Sequence, residues 1–571
     1  MDASAQRAPP GQRDLAARRF GPAMGTALDL ALLALGGFAL LVVLVLWFDN
    51  AQGTLTGNGV FKTIELRPWI DDPATAPLYP SNYLFYPLYG AGCRLLDALG
   101  VLAGDPRRQL TILNAASASL SLCVVYLLAR ALDASRAMAL ATALFHIACS
   151  FVLMLAITNE DIMPSYTVVL AAMALGAIWF AKPTPARVLV VSMVFSLGWL
   201  MEWRLVFPAL PGFLVALWLA EATLATRLRC VALFLGGIVA TAVLVSALWH
   251  GHTGAVGPLD LIWTGKGVNS AWGGFTWAKV GYLRDGIAAY FLGTAVTWLP
   301  VVGWDLWRIL ALVAILAIAA GAAVALWPRR REPVVRATVA LFGVTFIAGE
   351  VFNVYGQPHE AQMQVNVMPW LTLAWLFVML AATARWPRRA LPAMAGLAAL
   401  LLAFNVWSLA PLRGLDSAWR NAFEQLERRA DPARTVFVVH DFDWMMAYGS
   451  LHWGVEEPGV DRLGPPPQAL PKFKWIGFMG QLLRHVDWSV EQQTADLRRQ
   501  IDRALELGYD VLMVRLWDID REQLERESGM IADRRQLAAL HAMLRRDYVA
   551  VPAFTDPLMG PFVRLQRAPR P

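Results

Sequence analysis

Positive charge falls at every second gap between the apolar runs of this chain, and the gaps in between carry acids, aromatics and glycine. Lys and Arg are retained on the cytoplasmic side during membrane insertion, so this alternation indicates orientation as well as the number of spans. The basic gaps are 7–19, 130–136, 182–187, 227–229, 329–331 and 385–389. The pattern therefore predicts a membrane bundle with one basic face and one face that gathers acids.

Eleven apolar segments approach the roughly 20 residues that a helix needs to cross the hydrocarbon core. An odd number of spans with a cytoplasmic N-terminus puts the C-terminus outside. A further apolar segment, 286–303, is interrupted by Gly293 and Pro300, so it is predicted to be re-entrant or interfacial. The eleven predicted spans lie at about 30–48, 110–129, 137–157, 163–181, 188–203, 205–220, 230–249, 306–327, 334–352, 366–384 and 390–410.

The composition agrees with a membrane protein and excludes several other classes. With 57% hydrophobic and 16% charged residues, the 571-residue chain is too apolar for an ordinary soluble protein. No basic face interleaved with exposed aromatics is visible, so nucleic acid is not an expected partner. The four cysteines show no CxxC spacing, which argues against a zinc site or a structural disulfide.

The chain is predicted to be mainly α-helical, with three parts. Residues 1–29 form a cytoplasmic segment, and residues 30–411 form the transmembrane bundle with long outer loops at 49–109 and 250–305. Residues 412–571 have the hydropathy of a water-soluble domain, which we expect to be a small extracytoplasmic α/β domain because strand-like and helical segments alternate there. Its strands are predicted at 435–440 and 509–515, and its helices at 416–430, 489–507 and 533–546.

The first outer loop opens with an acid and then carries an aromatic, amphipathic segment. Asp49 directly follows the first span, where it is either a hydrated helix-end carboxylate or a base for a hydroxyl nucleophile. A third role, holding a divalent cation with a second acid and waters, also fits its position. The segment 78–89 is predicted to lie on the bilayer with its Tyr and Phe side chains at headgroup level.

Two further groups of charges lie near predicted span ends. Glu160 and Asp161 occupy a very short outer turn, where they are either ordinary turn residues or a functional carboxylate pair. Glu202 and Arg204 interrupt an apolar stretch. They form a salt bridge that only holds the bundle, or Arg204 grips an anionic group with its planar guanidinium.

The outer segment 355–366 is dense in hydrogen-bonding side chains of the kind that bind sugar hydroxyls, although a solvated loop would look similar. Lys266 in Thr-Gly-Lys-Gly is a flexible cation within reach of a phosphate, but this short sequence is not a phosphate-binding P-loop. The residues predicted to contact substrate are Glu65, Asp71, Asp72, Glu202, Gln357, Glu360 and Gln364.

The order of these features resembles the GT-C superfamily of polytopic glycosyltransferases, which includes protein O-mannosyltransferases and aminoarabinose transferases. The resemblance covers residues 30–219 best. The residues that carry it are Asp49, Tyr86-Pro-Leu-Tyr89, Arg107-Arg108, Tyr126-Leu-Leu-Ala-Arg130, Arg136, Glu160, Met163-Pro-Ser-Tyr166, Gly198, Pro208 and Pro211.

The resemblance implies a lipid-phosphate-linked sugar donor and an inverting transfer, with Asp49 as general base and Glu160 at the second acidic position. Family members often have two adjacent acids in the first loop, whereas Asn50 follows Asp49 here. The pair at 71–72 lies further from the span. Asp161 is grouped with the two catalytic acids because it adjoins Glu160. Arg204, Lys266 and His359 are assigned to the donor phosphate from their charge and predicted side alone.

The sequence therefore predicts a glycosyltransferase of a bacterial inner (plasma) membrane, moving a hexose or pentose from a polyprenyl-phosphate carrier to an acceptor hydroxyl on the outer face. The acceptor is a glycan, a lipid or a protein, and membrane lipids are the other partners. No cofactor is assigned apart from the divalent cation considered above, and no metal ligands are assigned. One alternative is a transporter or flippase of lipid-linked sugars, which predicts inverted repeats. The other is a non-enzymatic membrane scaffold that presents the C-terminal domain, which would not need acids gathered at the outer span ends.

Overall fold

The fold is a bundle of helices followed by a small sheet. The structure, a computed structural model, describes residues 23–50, 58–79, 82–202, 208–262, 275, 277–292, 304–355, 364, 369–439, 465–466, 473–477, 488–518 and 534–569.

Helices account for all the regular structure described before residue 435. In chain order they are α1 (Ala23–Ala31, a π-helical stretch Leu32–Gly36, and Gly37–Phe48), α2 (Asn58–Asp71), α3 (Phe85–Ala98), α4 (Pro106–Ala131), α5 (Arg136–Ala148), α6 (Ser150–Ile157), α7 (Ile162–Trp179), α8 (Pro185–Met201), α9 (Ala209–Trp218), α10 (Leu224–Leu248), α11 (Pro258–Ile262), α12 (Trp277–Phe291), α13 (Trp304–Leu326), α14 (Pro333–Tyr355), α15 (Pro369–Arg385), α16 (Ala390–Ser408), a 3₁₀ turn (Ala410–Leu412) and α17 (Leu415–Arg429).

Seven helical segments in the described part of the chain are long and apolar enough to cross a membrane. They lie in α1, α4, α7, α10, α13 and α14 and in the segment that begins with α16. The pair α5 and α6, bent by 74°, makes eight if it is counted as one span, while α8, α9 and α15 are shorter apolar helices. A helix therefore lies at each of the eleven predicted segments, and the count of eleven spans stays a prediction.

The two ends of α1 carry different charged contacts. Where α1 begins, Arg136 lies 2.7 Å from Asp29. Where α1 ends, Arg108 lies 3.0 Å from Asp49. These two acids are about 30 Å apart along a straight helix, which is the thickness of the hydrocarbon core. The start of α5 and the start of α4 are therefore at opposite ends of the bundle.

The predicted inner loops meet at the end where α1 begins. Arg329, in the turn between α13 and α14, lies 3.2 Å from Asp133 in the turn between α4 and α5. Arg336 lies 3.4 Å from Glu221, which precedes α10. The basic gaps at 130–136 and 329–331 thus meet at one end of the described bundle, as the alternation of charge predicts.

The first outer loop is built from α2 and α3 rather than from irregular chain. The prediction that the aromatic side chains of 78–89 lie at headgroup level is wrong, because Phe85, Tyr86 and Tyr89 are buried inside the protein. Their rings pack against one another, with centroids 4.6 to 5.1 Å apart. The exposed apolar side chains of this helix are instead Leu88 and Leu95, which leaves aliphatic groups on its outer face.

The C-terminal part forms a mixed five-stranded sheet with the order β2-β1-β3-β5-β4. Strands β1, β2 and β3 are parallel, and β5 runs antiparallel to both β3 and β4. The elements are β1 (Thr435–Val439), β2 (Lys474–Gly477), α18 (Val490–Glu506), β3 (Asp510–Val514), α19 (Arg534–Asp547), β4 (Tyr548–Asp556) and β5 (Gly560–Arg567).

Successive residues of β1 point to opposite faces of the sheet, as the pleat of a strand requires. Val436 and Val438 join a core with residues of α18 and α19, whereas Phe437 and Val439 join a core with residues of α17. The predicted α/β character is therefore confirmed. The sequence interpretation found β1 and β3 but missed β2, β4 and β5. The domain boundaries at 29/30 and 411/412 stay predictions.

The gathering of charges at two ends gives a test of orientation. We expect a membrane-impermeant maleimide to label a Gln566→Cys variant in intact spheroplasts and to label Arg330→Cys only after lysis. Both positions are exposed, and three of the four native cysteines are buried, so background labelling is low. Labelling of Arg330→Cys alone in intact spheroplasts would reverse the predicted orientation.

Candidate active site

Asp49 is held by two groups at the end of α1. It follows Phe48 in the left-handed conformation, with φ of 43°. Arg108 donates to one carboxylate oxygen at 3.0 Å, and the Ser417 hydroxyl donates to the other at 2.9 Å. Burial acts to raise the pKa of Asp49, but the hydrogen bonds from Ser417 and Arg108 outweigh it and hold that pKa below its usual value. The carboxylate is therefore ionised at neutral pH.

The C-terminal domain is joined to the same place by a buried ion pair. Arg107 lies 3.3 Å from Asp416 at the start of α17, and both side chains are almost fully buried. The backbone N–H of Gly414 donates to the carbonyl of Phe48 at 2.9 Å. Gly414 has φ of 72°, which glycine adopts without the steric cost that a side chain brings. The end of α1, the start of α4 and the start of α17 therefore form one contact region.

A second group of charges lies around Lys62 of α2. Its ammonium lies 2.8 Å from Asp161 Oδ2 and 3.7 Å from Glu65 Oε2. It also donates to Asn82 Oδ1 at 3.2 Å, and the Asn82 amide donates to Glu202 Oε2 at 3.1 Å. We call these five residues the Lys62 cluster. The Lys62 side chain is 15% exposed and that of Asp161 is 3% exposed, so the cluster is largely withdrawn from water.

Local structure explains why these five side chains meet. Lys62 and Glu65 are three residues apart on α2, so they lie on one face of that helix. Asp161 comes from the turn between α6 and α7, and Glu202 directly follows α8. Asn82 stands three residues before α3 begins. Four different elements thus contribute to one polar centre, and the sequence separation of its members reaches 140 residues between Lys62 and Glu202.

The turn that carries Asp161 is fixed by asparagine side chains. Asn114 of α4 donates to the backbone carbonyls of Thr158 and Glu160, at 2.8 and 2.6 Å. Asn159 donates to the hydroxyl of Thr63 at 2.7 Å, next to Lys62. These contacts join α2 and α4 to the turn, so the position of the carboxylate relative to the lysine is set by the fold.

Tyr86 contacts Glu65, the third acid of the Lys62 cluster. Its hydroxyl donates a hydrogen bond to Glu65 Oε2, and Lys62 lies over its ring at 5.6 Å from the centroid. Burial raises the pKa of the Tyr86 phenol well above its usual value, and the nearby Glu65 carboxylate adds to this. The phenol is therefore neutral and remains a donor. Glu65, at 33% exposed, is the most accessible carboxylate of the three.

The structure brings together some predicted site residues and separates others. Glu65, Asp161 and Glu202 share the Lys62 cluster, and Glu160 is buried beside Asp161. Asp49 has other partners, Arg108 and Ser417. Five further predicted residues fall outside the described part of the chain, namely Arg204, Lys266, Gln357, His359 and Glu360.

Three predicted substrate contacts have other surroundings. Asp71 and Asp72 are exposed. The Asp72 carboxylate accepts hydrogen bonds from the Thr75 hydroxyl and the Ala74 backbone N–H, so it stabilises the turn after α2. Gln364 is buried and donates to Glu350 of α14 at 3.4 Å. The binding role predicted for these three residues stays a prediction.

The sequence interpretation missed Lys62, Asn82 and Tyr86. Lys62 carried a signal, since it is a cation in a predicted outer loop, three residues before Glu65. Asn82 carried none, because polar residues are common in loops, and Tyr86 was noted only as part of the stretch Tyr86-Pro-Leu-Tyr89 and given no site role. Among the described residues, no group of three or more His, Cys, Asp or Glu side chains is arranged to hold a metal ion.

The fold is similar to that of two solved structures. The GT-C resemblance expected from the sequence is confirmed at the level of the fold, because solved structures of ArnT, a GT-C aminoarabinose transferase, superpose on nearly the whole chain.

Both of these structures are of ArnT from Cupriavidus metallidurans. The one bound to undecaprenyl phosphate has a TM-score of 0.51 and 15% sequence identity, and the match covers 95% of this chain and 98% of that chain. The apo structure has a TM-score of 0.50 and 14% identity, with the same coverage. No protein-family model and no curated protein matches the chain.

The buried ion pair between α4 and α17 gives a stability prediction. Removal of one partner of a buried pair leaves the other charge uncompensated, so Asp416→Ala is expected to lower the free energy of unfolding by about 3 kcal/mol. The control is Asp510→Ala, because Asp510 pairs with Arg564 at 3.3 Å with both side chains about half exposed. That change is expected to cost less than about 1 kcal/mol. Thermal unfolding in detergent measures both, and equal effects would contradict the prediction.

Proposed function

We propose that this protein is a membrane glycosyltransferase that takes a sugar from a polyprenyl-phosphate carrier and transfers it to an acceptor hydroxyl on the outer face of a bacterial inner membrane. The observation that carries the proposal is the ArnT-like fold over 95% of the chain, with the Lys62 cluster at the bundle end where α1 finishes. In one of the two ArnT structures that fold holds undecaprenyl phosphate. Lys62 supplies the ammonium that is proposed to meet such a headgroup.

Lys62 is the described cation best placed to meet the donor phosphate. As the glycosidic C–O bond breaks, negative charge grows on the departing lipid phosphate, and a fixed ammonium stabilises it more in a water-poor site than in water. Arg204, Lys266 and His359 are proposed to add positive charge to the same headgroup, and Gln357, Glu360 and Gln364 to contact the sugar or acceptor.

The base that accepts the acceptor proton is proposed to be Asp49. In this step the hydroxyl proton moves to the carboxylate while the oxygen forms a bond to the anomeric carbon and the bond to the phosphate breaks. Asp49 is ionised and partly exposed at the predicted outer boundary, which suits this role. Glu65 is the competing candidate, because it is ionisable, accessible and 3.7 Å from Lys62. Glu160 and Asp161 are proposed to support the reaction from the buried turn.

Transfer from synthetic polyprenyl-phosphate sugars tests the function and chooses between the two bases. Loss of the general base lowers turnover by about 10²- to 10⁴-fold, so we expect Asp49→Asn to fall in this range and Glu65→Gln to fall less. Asp260→Asn is the control, since Asp260 is an exposed acid of another outer loop. A larger loss of turnover in Glu65→Gln than in Asp49→Asn would assign the general base to Glu65. Absence of transfer by the unaltered protein from hexosyl and pentosyl donors would contradict the proposed function.

The role of Lys62 is tested by binding. Lys62→Met keeps the length of the side chain and removes its charge, so we expect the Kd for undecaprenyl phosphate to rise at least about tenfold. Native mass spectrometry of the purified protein measures this. The matched control is Lys182→Met, an exposed lysine in the turn before α8, which is expected to leave the Kd unchanged. An unchanged Kd in Lys62→Met would remove Lys62 from the phosphate site.

A further inference from the structure

Asn82 lies at the centre of the Lys62 cluster and is almost fully buried. Its amide nitrogen lies 2.6 Å from Asp161 Oδ2, 3.1 Å from Glu202 Oε2 and 3.0 Å from the carbonyl oxygen of Met201. Its amide oxygen accepts a hydrogen bond from Lys62 Nζ at 3.2 Å. One neutral side chain therefore contacts the cation and two of the three carboxylates.

The chemistry of this position requires an amide. Asn carries a donor group and an acceptor on the same short side chain, and both are used here. If the Asn82 amide were flipped, its oxygen would face the carboxylates of Asp161 and Glu202, which are acceptors as well. These two residues therefore determine the orientation of the amide. An aspartate would face the same two carboxylates, and an aliphatic side chain would leave buried acceptors without this donor. The position of Asn82 before α3 is thus chemically specific.

We propose that Asn82 is a positioning residue that holds the Lys62 ammonium where it meets the donor phosphate. This inference rests on the proposed function and on the assignment of Lys62 to the phosphate. A lysine side chain is long and flexible. The Lys62 ammonium lies 2.8 Å from Asp161 and 3.7 Å from Glu65, and both of these partners are carboxylates. The Asn82 oxygen adds a neutral, buried acceptor to these contacts. The same amide donates to Asp161 and Glu202, so the acceptor that contacts Lys62 is itself held by two buried carboxylates.

A double-mutant cycle separates this role from a general structural one. If Asn82 acts through Lys62, its substitution affects phosphate binding only while Lys62 is present. We expect Asn82→Ala to raise the Kd for undecaprenyl phosphate about tenfold in the otherwise unaltered protein. In the Lys62→Met background, the same substitution is expected to change the Kd by less than about twofold. Native mass spectrometry of full-length protein in detergent gives all four values.

Asn82→Ser is carried through the same cycle, because a serine keeps a short donor in the buried site and serves if the alanine variant does not fold. Its effect is expected to be smaller and to vanish equally in the Lys62→Met background. An equal effect in both backgrounds would mean that Asn82 only supports the fold and would overturn the inference. An unchanged Kd for undecaprenyl phosphate in both Asn82→Ala and Asn82→Ser would also overturn the inference. If the unaltered protein does not bind undecaprenyl phosphate, the proposed function falls and this inference falls with it.

Discussion

Polar groups that are withdrawn from water inside this protein must find partners within it, because an unpaired buried polar group is costly. The Lys62 cluster meets this constraint by drawing its members from α2, from the chain before α3, from the turn after α6 and from the end of α8. Each carboxylate named there faces a donor: Glu65 has Tyr86, and Asp161 and Glu202 have Asn82. The cluster therefore specifies how those elements come together, and its chemistry follows from the same contacts.

A second polar centre joins the bundle to the C-terminal domain. Asp49, Arg107 and Arg108 on the bundle side meet Asp416 and Ser417 on the domain side. The proposed base is thus held partly by a hydroxyl from the domain. This arrangement places the start of α17 next to the end of α1, and any motion of the domain would change the surroundings of Asp49. The domain is in this sense part of the candidate active site rather than an appendage to it.

Asp49 and Lys62 have different roles in the proposed reaction. Asp49 is partly exposed and kept ionised, which suits an encounter with an acceptor hydroxyl from the water side. Lys62 is buried among acids and an amide, which suits a headgroup whose lipid chain remains in the bilayer. Both lie near the first turns of α4, since Arg108 contacts Asp49 and Asn114 holds the turn that carries Asp161. The turn and the end of α1 therefore share one end of the bundle.

Sequence reasoning predicted much of the fold because the bilayer imposes simple rules. Helices lie at all eleven apolar segments, and the basic gaps at 130–136 and 329–331 meet at one end of the bundle. The α/β character of the C-terminal domain was also visible from β1 and β3. The β4–β5 hairpin was not, because its strands are largely exposed on one side and alternate weakly. The helix α2 was missed as well, since Pro68 lies inside it.

The sequence by itself determined the membrane class of the protein, the positions of its apolar helices and which acids gather at one end, because hydropathy and charge are local properties that a bilayer sorts directly. Only the tertiary structure decided that Lys62 and Asn82 join Asp161 and Glu202, and that Asp49 is bound by Arg108 and Ser417. These contacts connect residues tens to hundreds of positions apart. Their partners are set by helix packing, which no local pattern encodes.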